Sequence, residues 1–178
     1  MGRSEVTLAR VHVIGGMGTG TTYLARRLGT VLRAPVYEMD LGFDARAVLR
    51  SKRWVTEGIY LWDIDPVLEA ADAIVWLDLP YRTCVQRIVL RHIWASARRQ
   101  NRHKGLRKLG RFVWSARAYW QTEDPRSPDG PTDWGALSRA QTLGTLQQHM
   151  SKTTRLRSQS EVMAWLGTVS STAAPGGL

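Results

Sequence analysis

Cysteine is almost absent from this chain of 178 residues. Cys84, the single one, can form no internal disulfide and no cysteine metal cluster. It lies in an apolar-periodic stretch, where a thiol is expected to be buried rather than reactive. No apolar run is long enough to span a bilayer. The polar start Met1-Gly2-Arg3-Ser4-Glu5 lacks a signal-peptide core, so a cytoplasmic protein with no membrane partner is expected. There is no internal repeat and no helix-turn-helix, RNA-binding or zinc motif. Acid is missing from one long segment. Between Asp78 and Glu123 no Asp or Glu occurs, while eleven Lys and Arg fall there, from Arg82 to Arg117. The chain carries a net charge of +10, and that segment is its source of polyanion attraction. Nucleotide phosphates are one candidate partner and nucleic acid is a less favoured one.

What the chain does have is a glycine-rich stretch, Gly15-Gly16-Met17-Gly18-Thr19-Gly20-Thr21-Thr22. It follows the apolar run Val11-His12-Val13-Ile14 and precedes the helical opening Tyr23-Leu24-Ala25-Arg26-Arg27. Strand, glycine-rich turn, helix is the setting of a phosphate-binding P-loop. Glycines let backbone N–H groups approach phosphate oxygens, and the helix start adds unpaired donors and partial positive charge. Gly15, Gly20 and Thr22 fit G-x-x-x-x-G-K-S/T, but position 21 is Thr where the pattern has Lys. The dinucleotide pattern G-x-G-x-x-G fails, because its last position falls on Thr21 or Tyr23.

Periodicity predicts strands over Val6–Ile14, Pro35–Met39, Trp54–Glu57, Ala73–Leu79 and Thr154–Leu156. Helices are predicted over Thr22–Leu32, Asp44–Ser51, Asp65–Ala71 with Asp65 as its cap, Arg82–Asn101, Leu109–Tyr119, Leu137–Met150 and Glu161–Leu166. Pro125, Pro128, Asp129 and Pro131 mark 122–134 as a loop. The strands are apolar throughout and alternate with helices. That pattern predicts an α/β fold with a five-stranded parallel sheet covered on both faces. One domain over 1–169 is expected, with a basic helical region over about 82–134 and a mobile tail over 170–178.

The ordered motifs resemble the adenylate-kinase-like branch of P-loop kinases. They are most similar to small proteins labelled topology modulation proteins or AAA-family ATPases. The P-loop is followed by Val36-Tyr37-Glu38-Met39-Asp40, then by Trp54-Val55-Thr56-Glu57-Gly58-Ile59-Tyr60. Val75-Trp76-Leu77-Asp78-Leu79-Pro80 leads to Cys84-Val85-Gln86-Arg87 and Arg91, and Leu156-Arg157-Ser158 comes near the end. Relatives in this branch phosphorylate shikimate, nucleosides and antibiotics such as chloramphenicol. The resemblance implies transfer of the γ-phosphate of ATP or GTP to a small hydroxyl compound, with Mg²⁺. A nucleoside-type antibiotic such as capuramycin would fit as acceptor.

The candidate residues follow from that chemistry. Phosphoryl transfer asks for positioning, charge neutralisation and an oriented nucleophile. Gly15, Gly16, Met17, Gly18, Thr19, Gly20, Thr21 and Thr22 would hold the donor's phosphates, with the Thr22 hydroxyl on Mg²⁺. Active residues in parallel sheets sit at the C-terminal ends of strands. Asp40 is there, as general base or as a metal ligand through water. Glu57 is there too and can bind substrate or orient a metal-bound water; Asp78 is a weaker candidate of the same kind. The resemblance implies that Arg87 and Arg91 form a lid over the phosphates and that the base sits near Leu156–Ser160, including Arg157. Tyr60 and Arg98 are further substrate-side candidates. With Thr21 in place of lysine, the missing charge is expected from Arg87 and Arg91. A binding or hydrolytic P-loop protein that grips nucleic acid or regulates remains the alternative.

Overall fold

The computed structural model describes residues 8–39, 45–59, 62, 64–98, 105–123, 126, 129, 130 and 133–173. Its strands are β1 (Arg10–Gly15), β2 (Val36–Glu38), β3 (Trp54–Glu57), β4 (Ala73–Leu77) and β5 (Thr153–Leu156). All pair in parallel, in the order β2-β3-β1-β4-β5. The helices are α1 (Thr21–Leu32), α2 (Ala45–Leu49), α3 (Asp65–Ala70), α4 (Tyr81–Ala97), α5 (Leu106–Ala116), α6 (Ala118–Gln121), α7 (Arg139–Leu146) and α8 (Gln159–Ala173). The expected α/β fold is present, with β1 at the centre.

Two cores explain why these strands are apolar on both sides. Val11, Val13, Val55, Val75 and Leu77 face Leu24 and Leu28 of α1 and Val162 and Leu166 of α8. Ile14, Trp54, Ile74 and Trp76 face Val48 of α2, Val67 and Leu68 of α3, and Leu146 of α7. Successive strand residues point to opposite faces, so parity along each strand decides the core that a side chain joins.

Several boundaries differ from expectation. β1 starts at Arg10 and β4 ends at Leu77. Asp65 lies inside α3 rather than capping it. α4 ends at Ala97 with Arg98 as its cap, short of the expected Asn101. Gly105, at φ 114, precedes an α5 that starts at Leu106, earlier than expected; α6 continues after Arg117. The last helix is much longer than Glu161–Leu166. It starts in a reciprocal cap: the Glu161 N–H donates to Ser158 Oγ at 3.2 Å, and the Arg157 N–H donates to Glu161 Oε2 at 2.8 Å. It runs through residues 170–173, so the start of the expected tail is helical, and Ser170 Oγ donates to Leu166 O at 2.8 Å.

Candidate active site

The Gly15–Thr22 loop leaves the end of the central strand and turns directly into α1. Gly18 and Gly20 take φ of 82 and 96, a region that disfavours any side chain. Gly20 is the N-cap of α1, so no side chain caps the helix, and its first turn holds no acid. The first N–H groups and the positive helix end are therefore left for an anion. Thr19 is buried and fixes the loop, its hydroxyl donating to Gly16 O at 2.7 Å. The ring of Tyr119 packs on Gly16 so closely that a Cβ there would sit 2.6 Å from it.

An open cavity of about 680 Å³ lies over this loop. Gly18, Gly20, Thr21 and Thr22 form its floor, and Arg87, Ile88 and Arg91 of α4 form one wall. The glycine-rich loop and Arg87 and Arg91 of α4 thus line one cavity. Arg87 reaches furthest: Nη1 donates to Thr19 O at 2.6 Å and Nη2 donates to Gln159 Oε1. The other wall is α1 itself, through Tyr23, Arg26, Arg27 and Thr30. Sequence reasoning missed these residues, although Thr22, Arg26 and Thr30 share a helical face at spacing four. Arg26 also pairs with Glu38 at 3.0 Å, and the Arg27 guanidinium lies over the Tyr23 ring. On the far side of Arg87 is a smaller cavity of about 250 Å³, lined by Thr19, Gly20, Tyr23, Leu24, Leu77, Arg87, Gln159 and Val162. It adjoins the segment expected near the base, but Gln159, not Arg157, lines it. Arg157 is exposed, and its N–H is held by Glu161.

The two buried carboxylates beside the loop differ. Glu57 ends β3 and accepts the Thr22 hydroxyl at 2.8 Å. Asp78 follows β4 and is clamped by two guanidiniums. Arg139 Nε and Nη2 donate to it at 2.7 and 3.0 Å, and Arg155 Nε and Nη2 at 2.9 and 2.5 Å. Arg155 also stacks over Trp76 at 4.2 Å. Asp78, a weaker candidate from sequence, is thus engaged in a structural clamp. Arg98 is exposed at the end of α4, over the Trp94 ring at 5.8 Å. Asp40 and Tyr60 lie outside the described residues.

Two titrations are clear nearby. Burial pushes the Cys84 thiol up to about 11, with Arg87 opposing, so this cysteine is protonated and inert, as expected. Burial holds His12 down at about 3; its Nδ1 is 2.9 Å from Thr56 Oγ1.

Thr22 and Glu57 offer a hydroxyl and a carboxylate oxygen in contact beside the glycine-rich loop. That donor set suits Mg²⁺, a hard cation that takes one or two protein oxygens and leaves the rest to phosphates and water. Among the described residues no cluster of three His, Cys, Asp or Glu could hold a metal by itself, and a phosphate-borne cation needs none.

No family model matches the chain, and no curated protein sequence matches it. Solved structures do. The shikimate kinase from Bacteroides thetaiotaomicron is 12% identical with TM-score 0.47, over 92% of this chain and 97% of that one. A gluconokinase from Sinorhizobium meliloti 1021 is 12% identical with TM-score 0.49, over 94% and 93%. The shikimate kinase from Acinetobacter baumannii in complex with shikimate is 13% identical with TM-score 0.49, over 92% and 91%. At such identities the likeness concerns the chain path, and the chemistry rests on the site's own residues.

Proposed function

We propose that the protein is a P-loop phosphotransferase that moves the γ-phosphate of ATP or GTP to a hydroxyl of a small molecule. One observation carries this reading: the Thr22 hydroxyl on Glu57, at the floor of a cavity whose wall holds Arg87 and Arg91. The amides of the Gly16–Thr22 loop would hold the β-phosphate, apart from that of Thr19, which donates to Gly16 O at 3.2 Å. Thr22 and Glu57 would hold Mg²⁺, which when bound would neutralise phosphate charge. Arg87 leaves Thr19 O for the β–γ bridge and supplies the charge that Thr21 lacks; a guanidinium fork suits two phosphate oxygens. The acceptor oxygen forms a bond to the γ-phosphorus as the bond to the bridging oxygen breaks. The hydroxyl proton passes to Asp40, which we assign as base on sequence grounds, and the nucleoside diphosphate leaves. Tyr60 and Arg98 are assigned to the acceptor side on sequence grounds alone. The acceptor class, nucleoside-type antibiotics such as capuramycin included, follows from the resemblance of the motifs.

The test is transfer of a labelled γ-phosphate to a panel of hydroxyl compounds. A phosphorylated product is expected, with Gly20→Val losing nucleotide binding. Arg87→Ala should slow the chemical step by on the order of 10³ at saturating nucleotide. Thr21 favours a second reading, a P-loop protein that only binds or hydrolyses nucleotide. Phosphate release, or binding without any product, across the whole panel would establish it instead.

A further inference from the structure

Large apolar side chains stand exposed on α4 and α5: Leu90, Ile93, Trp94, Leu106, Phe112 and Trp114, from 40% for Phe112 to 80% for Leu106. Elsewhere such residues, Tyr23, Trp62, Leu143, Met150 and Met163, are scattered over separate elements, which is ordinary for a soluble surface. On α4 the spacing is i, i+3, i+4 for Leu90, Ile93 and Trp94, so they form one stripe. α5 turns Leu109, Val113 and Ala116 inward, with Leu106 and Phe112 at the margins of that stripe, and leaves Arg107, Lys108, Arg111 and Trp114 outside. Arg98 lies over Trp94 and Arg117 over Trp114, at 5.8 and 5.6 Å. The salt bridges among the described residues include none of Arg98, Arg107, Lys108, Arg111 and Arg117. The sequence places no acid within the segment to answer them.

We propose that the exposed apolar stripe of α4, with the basic outer side of the neighbouring α5, docks on the surface of an anionic phospholipid bilayer. Two features must be met together: positive charge that no salt bridge among the described residues answers, and exposed branched aliphatics. A second copy of the chain would answer the aliphatics but set like charge against like. A nucleic acid strand would answer the arginines and stack on the tryptophans, but Leu90, Ile93 and Leu106 would stay in water. An anionic bilayer answers both. Aliphatic groups enter the acyl boundary, tryptophan rings sit at headgroup level, and guanidiniums meet lipid phosphates. That no described helix is long and apolar enough to cross a membrane bears on spanning, not on surface docking.

The probe is sedimentation with vesicles of phosphatidylcholine alone and of phosphatidylcholine mixed with phosphatidylglycerol. The chain should sediment with the mixed vesicles only, with a blue shift of tryptophan emission. Ile93→Ser with Trp94→Ser should weaken partitioning about tenfold or more. Arg107→Gln with Arg111→Gln should weaken it about fivefold per charge. All four residues are exposed, and far-ultraviolet dichroism and ATP affinity should stay at parental values. Absence from the mixed vesicles would overturn the proposal. So would an Ile93/Trp94 variant that binds as tightly as its parent, which would mean charge alone. Saturable binding of a single-stranded oligonucleotide that mixed vesicles fail to displace would reassign the face to nucleic acid. None of these readouts depends on phosphoryl transfer, so this proposal and the kinase reading fail separately.

Discussion

The strands on either side of β1 each lead to a buried carboxylate, Glu57 at the end of β3 and Asp78 just after β4, and the two have opposite employment. On the β3 side Glu57 has the Thr22 hydroxyl as its partner and takes part in none of the salt bridges among the described residues. On the β4 side Asp78 is spent on Arg139 and Arg155. Parity explains the split. Glu57 shares a face with Val55 and Val13, which is the α1 face where the loop presents Thr22. Asp78 shares a face with Trp76 and Ile74, towards α7 and its Arg139. A buried acid costs free energy unless it is paired. Whether the pairing is a neutral hydroxyl or two cations decides whether the acid remains available for chemistry.

The largest expected effect tests the β3 side. Glu57→Gln keeps the shape and the Thr22 contact but removes the charge. Turnover should fall about 10³-fold, and nucleotide affinity by calorimetry should stop responding to Mg²⁺. A variant with parental turnover and unchanged Mg²⁺ dependence would make Glu57 as structural as Asp78 and erase the contrast.

Next comes the β4 side. Asp78→Asn leaves two guanidiniums facing a neutral amide. Its cost should be about 3 kcal/mol of stability by urea unfolding, discounted because the Arg139 side chain is 46% exposed. Nucleotide affinity should change little at temperatures where the variant is folded. If instead the variant folds normally and loses turnover, Asp78 belongs to the chemistry.

The smallest effect sharpens the β1–β3 side. His12 of β1 is in register with Thr56 of β3 and Ile74 of β4, bonded to Thr56 and held near 3 by burial. Unfolded, it takes a proton near 6.5; folded, it does not. Stability is therefore full above 6.5 and is lost as pH falls towards the folded value. Between pH 7 and 5 this amounts to about 2 kcal/mol. Urea unfolding of the parent and of His12→Asn at both pH values should show the loss in the parent alone. Equal losses would mean that His12 does not titrate on unfolding.

The sequence by itself determined the parallel sheet, since uniformly apolar strands alternating with helices have no other way to cover both faces. It also determined the glycine-rich loop and the threonine at position 21, because loop, strand end and helix start are neighbours along the chain. The pairing of Arg87 and Arg91 with that loop was expected from resemblance, and the folded chain brings them to one cavity. The Ser158–Glu161 cap that lengthens α8 was written in the sequence as S-x-x-E and was overlooked. What only the tertiary structure decided were the contacts across long separations. Thr22 meets Glu57 35 residues away, Arg87 meets Gln159 72 residues away, and Asp78 meets Arg139 and Arg155 61 and 77 residues away. Strand alternation could say that Glu57 and Asp78 point to particular faces of their own strands. It could not say which face carries α1 and which carries α7, because that follows from strand order and crossover, and no local preference along the chain encodes them.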